Sequence, residues 1–271
     1  MAGSVMSAMI RIVSQHAHGG GQTRHAWKGS ADVINARGYN TCAIDLRGHG
    51  DSDWAEDGNY SMEAFADDLV TVSKFIGRPP ILVGASLGGI AAMIAAGEVD
   101  TKCFKALVLV DITPSMNREG VEKIVGFMSD NLSDGFSSPE HAAESISAYL
   151  PNRTKPKNLD GLMKNLRIDA AGRYRWHWDP RFIEGARSQS ASRDPERIEK
   201  VVTKISIPIA LIRGRNSELV TDEEVARFQQ LVPEALYYNV ENAGHMVAGD
   251  SNSIFNRALI EHLEYLENRS V

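Results

Sequence analysis

Pro79-Pro80-Ile81-Leu82-Val83-Gly84-Ala85-Ser86-Leu87-Gly88-Gly89-Ile90-Ala91-Ala92-Met93-Ile94-Ala95-Ala96 is the stretch that decides the fold. A short β-branched run, Ile81 to Val83, enters Gly84-Ala85-Ser86-Leu87-Gly88 and leaves as a helical pattern of small residues. Gly-x-Ser-x-Gly set between a strand and a helix is the context in which a serine is carried on a sharp turn as a nucleophile. Gly84 and Gly88 lack the Cβ that would collide with neighbouring backbone in such a turn. The geometry puts Ser86 Oγ at the carboxyl end of a strand, with the Leu87 amide at the start of the helix facing a developing oxyanion. The plainer reading is a glycine-rich turn with an incidental serine, and the flanking strand and helix argue against it.

Outward from this stretch, strands and helices alternate. Trp27 to Ala36 reads as a helix stopped by Gly38, Asn40 to Asp45 as a strand, and Ser61 to Ile76 as a helix with Phe65, Leu69, Val72 and Ile76 on one face. Phe104 to Val110 is an apolar strand ending at Asp111. The rhythm then stops until Pro208 to Ile212, a strand, followed by the helix Asp222 to Leu231 with a Thr221/Glu224 capping box. Ala235 to Val240 is the last strand and Ser251 to Leu266 a closing helix. The expected class is α/β, a mostly parallel doubly wound sheet covered on both faces. Residues 1–112 and 205–271 form the core, and 113–204 a helical lid too long to be a plain loop.

The start fits this scheme least well. Met9 to Gln15 is the strand that should precede the His16 to Gln22 loop, yet Arg11, Ser14 and Gln15 suit a doubly buried strand poorly. The N-terminal strands are therefore expected to be shortened or missing. That would leave a sheet edge uncovered and open to pairing with a second copy of the chain, a homodimer.

With 271 residues, a net charge of −6, 43% hydrophobic and 24% charged residues, the chain has an ordinary globular composition. The mild acidity argues against a nucleic-acid partner. Cys42 and Cys103 do not make a disulfide framework. No stretch approaches a membrane span, and Met1 to Ala8 lacks the pattern of a secretion signal, so the cytoplasm is the expected compartment. No histidine pair has metal-ligand spacing with companion carboxylates, so neither metal nor other cofactor is expected.

A serine hydroxyl needs a base to take its proton, and the base needs an anion to hold it. His245 lies in a loop after the last strand and Glu218 just beyond the penultimate strand, both at the edge that carries Ser86. In this chain order, serine, acid and histidine follow the sequence expected of such a sheet. A solvated carboxylate beside a helix start is the plainer reading of Glu218.

Taken together, His18-Gly19-Gly20, the run from Asp45 to Ser52, Gly84 to Gly88, Gly214 to Val220 and Gly244-His245 resemble the α/β-hydrolase fold family. The similarity is to its small bacterial lid-bearing members, among them esterases, enol-lactonases and cofactor-free perhydrolases. The resemblance implies Ser86 as nucleophile, His245 as general base, and Glu218 as the acid. Asp111 is the backup acid, because some members place it after that earlier strand. It implies an oxyanion hole from the amides of Gly20 and Leu87, a supporting role for His18, and a wall-shaping role for His49. Trp176, Trp178 and Phe182 line an acyl pocket from the lid side or pack the lid's own core. The implied reaction is cleavage of a small acyl substrate, an ester or lactone, through an acyl-serine. Perhydrolysis with the same triad is one alternative, and a catalytically impaired or ligand-binding member, motivated by the short N-terminus, is another.

Overall fold

The strand that leads into the first glycine loop is fully formed in the computed structural model, which describes residues 12–151, 158–188, 194–247 and 252–269. This strand, Val13–Ala17 (β1), is buried at every position. Its polar residues are accommodated one by one. Ser14 Oγ donates to the Asn40 carbonyl at 3.4 Å and contacts His16 Nε2 at 2.8 Å, while Gln15 Nε2 donates to the Leu69 carbonyl at 3.1 Å. His16 packs edge-on against Trp27, and burial pushes its pKa down to about 3, so the ring is neutral. The strand expected from sequence begins at Met9; Met9 to Arg11 lie outside the described residues, and the expectation of absent N-terminal strands falls there too.

The chain continues through helix Lys28–Ala36 (α1), strand Asn40–Ile44 (β2) and helix Met62–Ile76 (α2). Strand Ile81–Ala85 (β3) then feeds helix Leu87–Ile94 (α3), which ends in a π-helical turn, Ala95–Val99. Strand Ala106–Val110 (β4) follows. After a long excursion come strand Ile209–Gly214 (β7), helix Asp222–Leu231 (α9), strand Leu236–Val240 (β8) and helix Asn252–Asn268 (α10). These six strands form one parallel sheet in the order β2-β1-β3-β4-β7-β8. Its central strands are continuous apolar runs because both faces are covered. Leu82, Leu107, Leu109 and Leu211 point into the layer of α2 and α3, whereas Ile81, Val83, Val108, Val110 and Ile212 meet Trp27, Ile34, Phe255, Leu259 and Leu263 of α1 and α10 and the turn before α1.

Between β4 and β7 lie helices Arg118–Ser129 (α4), Pro139–Tyr149 (α5), Asp160–Met163 (α6), Arg181–Ser188 (α7) and Pro195–Val202 (α8). Contrary to the expectation from sequence, this excursion is not wholly helical. Leu166–Ile168 (β5) pairs antiparallel with Tyr174–Trp176 (β6). Within residues 158–167 the helical part is the single turn α6. The hairpin is closed by Asp169, whose Oδ1 accepts the amides of Ala171 and Arg173, and by Gly172 at φ 76°.

Candidate active site

Ser86 occupies the junction of β3 and α3 with φ 47° and ψ −115°, a conformation L-residues rarely adopt. Such strain costs about 1–3 kcal/mol and persists only where the surroundings impose it. The surroundings here are backbone. A Cβ on Gly84 would lie 2.6 Å from the Gly88 carbonyl oxygen, and one on Gly88 would lie 2.6 Å from that of Ala17. The turn is also stitched to its neighbours: the Gly88 amide donates to the His18 carbonyl at 3.2 Å and the Ser86 amide to Val110 at 3.4 Å. The second bond sets Ser86 beside the residue that precedes Asp111.

Asp111 is fully buried at the end of β4, and its Oδ2 lies 2.7 Å from His245 Nδ1. An ionised carboxylate only accepts, so Nδ1 carries the ring proton and Nε2 is left as a base. Asp111 also accepts the Gly214 amide on Oδ1 at 2.9 Å and the Ser217 hydroxyl on Oδ2 at 2.6 Å. Sequence reasoning favours Glu218 over Asp111 as the partner of His245; the structure brings Asp111 there instead. The sheet order β3-β4-β7-β8 puts the ends of both β4 and β7 between the serine turn and the histidine loop after β8, and it is Asp111, the residue after β4, whose carboxylate meets the ring. Glu218 lies four residues beyond the end of β7, where the Cβ of a residue at Gly120 would strike its carbonyl oxygen and its charge bears on Tyr149 of α5.

Gly19 to Gly21 pass directly over the serine, a Cβ on Gly19 falling 3.3 Å from that of Ser86. Gly19 donates its amide to Gln22 Oε1 at 3.1 Å and Gly21 donates to His49 Nε2 at 3.1 Å. Among the described residues the amides of Gly20 and Leu87 have no hydrogen-bond acceptor. These are the two donors expected to face an oxyanion. Two buried imidazoles hold the loop. His18 Nε2 accepts the Leu46 amide at 3.0 Å while its Nδ1 meets the Gly19 carbonyl at 2.8 Å. His49 spans from Gly21 to the Arg47 carbonyl, 3.0 Å from Nδ1. Burial lowers their pKa values to about 4 and about 3, so both rings are neutral and can accept.

The aromatic residues of the excursion divide. Phe182 packs 3.4 Å from the position of a Cβ on Gly20, and Trp178 Nε1 3.6 Å from that on Gly21. Both therefore buttress the loop. Trp176 instead packs on Phe127 and Phe136. The segment is fastened to the loop after β2 by backbone bonds, Gly50 to His177 and Asp179 to Gly48, each 2.8 Å. Tyr60 Oη donates to the buried Asp179 at 2.6 Å, and burial with that contact pushes the phenol up to about 12. Sequence reasoning misses Gln22, Tyr60, Asp179 and Ser217. Only Asp179, ahead of Pro180 in an aromatic run, carries any local signal. No group of acidic, histidine or cysteine side chains suited to a metal occurs among the described residues. No helix among them is long and apolar enough to cross a membrane.

Residues 17–251 match the family model described as alpha/beta hydrolase fold. The chain is 33% identical over 256 residues to esterase Rv0045c of Mycobacterium tuberculosis, covering 90% of this chain and 78% of the relative. A 2-(acetamidomethylene)succinate hydrolase of Mesorhizobium japonicum is 26% identical, over 83% of this chain and 79% of its own. The solved structure of the M. tuberculosis esterase superposes with a TM-score of 0.72 at 30% identity, covering 96% of this chain and 86% of that one.

Proposed function

We propose that this chain, which belongs to the α/β-hydrolase fold family, hydrolyses carboxylic esters of small acyl substrates through an acyl-enzyme on Ser86. The observation that carries the reading is the 2.7 Å contact of buried Asp111 with His245 at the same sheet edge as the strained Ser86 turn. His245 Nε2 takes the Ser86 proton as Oγ attacks the carbonyl carbon. The oxyanion that forms is met by the amides of Gly20 and Leu87, two fixed dipoles that need no reorganisation. The imidazolium, steadied by Asp111, gives its proton to the leaving alcohol. A water then repeats the sequence on the acyl-serine, with His245 again as base, and releases the acid. Asp111 takes the acid role in this scheme and Glu218 none.

Two relatives whose names describe an esterase and a hydrolase support an acyl substrate, and lactones fall within the same chemistry. Residues 113–204 act as the lid over residues 1–112 and 205–271. Phe182 and Trp178 form its contact with the oxyanion loop. The test is a series of p-nitrophenyl esters of increasing acyl length, wild type against Ser86→Ala. Turnover in the wild type and its loss in the variant support the reading; equal rates in both overturn it.

A further inference from the structure

We propose that Ser217 is a positioning residue for the catalytic unit, its hydroxyl locked as a donor that keeps the Asp111 carboxylate aimed at His245. The proposal rests on the reading of Ser86, His245 and Asp111 given above. A serine hydroxyl has one proton and two lone pairs. In the turn after β7 the Leu219 and Val220 amides both donate to Ser217 Oγ, at 3.2 and 3.1 Å. Its proton is then directed to the remaining neighbour, Asp111 Oδ2 at 2.6 Å. That same oxygen receives His245 Nδ1. The other carboxylate oxygen is held by the Gly214 amide, so the plane of the carboxylate is fixed from both sides.

Asp111 is fully buried, and these donors replace the water that would otherwise solvate its charge. Among the described residues His245 is its one ion-pair partner. The turn carrying Ser217 is anchored in its turn to the histidine side of the site. The Ser217 amide donates to the Gly214 carbonyl at 3.0 Å, Asn216 to Ala243 at 2.8 Å and Arg215 to Val240 at 2.9 Å. The loop in which a carboxylate is expected thus supplies a neutral hydroxyl that supports the carboxylate of the neighbouring strand.

The experiment compares Ser217→Ala and Ser217→Thr with wild type by steady-state kinetics on a hydrolysed p-nitrophenyl ester. In parallel, proton NMR follows the His245 Nδ1–H resonance, a readout that needs no turnover. In Ser217→Ala kcat falls about tenfold with KM within about twofold, the size expected for one hydrogen bond to a charged group. The Nδ1–H resonance moves downfield, because a carboxylate with one donor fewer accepts the ring proton more strongly. Ser217→Thr, which keeps the hydroxyl, returns both values toward wild type. A folded Ser217→Ala with wild-type kcat and an unmoved Nδ1–H resonance overturns the proposal. Absence of Ser86-dependent turnover in the wild type would instead overturn the ester-hydrolase reading, and the NMR comparison would still decide the role of Ser217.

Discussion

Replacing Asp111 by asparagine changes one atom and should remove most of the activity. In Asp111→Asn the remaining side-chain oxygen can still accept the Gly214 amide, which holds the native carboxylate at 2.9 Å. The new NH2 then stands where Oδ2 now receives Ser217 Oγ and His245 Nδ1, at 2.6 and 2.7 Å. A donor facing Nδ1 forces the imidazole into the tautomer protonated on Nε2, which cannot take the Ser86 proton. The fall in kcat should be about 1,000- to 10,000-fold, as for loss of the correct tautomer in other triads. At about 1.36 kcal/mol per tenfold this is about 4–5.5 kcal/mol of transition-state stabilisation. The assay is kcat on a p-nitrophenyl ester, with Glu218→Gln as the companion, expected within about twofold of wild type because the carboxylate that meets the ring is that of Asp111. Asp111→Asn retaining a third or more of wild-type kcat, or Glu218→Gln falling a hundredfold, would refute the assignment of the acid.

Other consequences can be measured alongside. His49→Phe removes the acceptor of the Gly21 amide and should lower kcat about 10- to 100-fold, through a loosened Gly20 donor, with a smaller effect on KM; equal losses in kcat and in ligand affinity would speak against it. Ser86→Gly relieves the positive φ at the elbow and should raise Tm by a few degrees, about 1 kcal/mol after the entropy cost of glycine; calorimetry showing a lower Tm would contradict the strain. His16, His18 and His49 are neutral when folded, with pKa values of about 3, 4 and 3 against 6.5 for a free imidazole. The unfolded chain therefore binds more protons below pH 6.5, and stability falls as pH drops from there. At pH 5 each histidine costs about 2 kcal/mol, together about 6 kcal/mol, comparable with the whole stability of a domain. Circular dichroism should show unfolding between about pH 4 and 5.5, and His16→Leu should resist acid better than wild type if it folds.

The parts of the fold that are legible in the sequence are those written in short stretches. The elbow shows in the change from β-branched residues to glycine and then to small helical residues. The capping box of α9 is present as expected. Asp111 is harder to choose because it and Glu218 each follow a strand lying between β3 and β8, and only the contact of Asp111 with His245 tells them apart. That contact is long-range and leaves no trace in local spacing. β1 looks too polar because Asn40 and Leu69, which accept from Ser14 and Gln15, and Trp27, which packs on His16, all lie outside the strand. The β5–β6 hairpin escapes notice because each strand has three residues and Arg167 and Ile168 are exposed. Its turn residues, Asp169 and Gly172, are a readable signal. Ser217 carries none, since one serine among the polar residues of Arg215 to Glu218 has no pattern to distinguish it.

The central claim is that the hydroxyl of Ser86 is a working nucleophile. Incubation with a fluorophosphonate followed by intact-protein and peptide mass spectrometry tests it directly. A single adduct on the peptide holding Ser86, absent in Ser86→Ala and greatly slowed in Asp111→Asn, is the predicted result. No adduct on a folded wild-type protein, or an adduct that persists in Ser86→Ala, would contradict it.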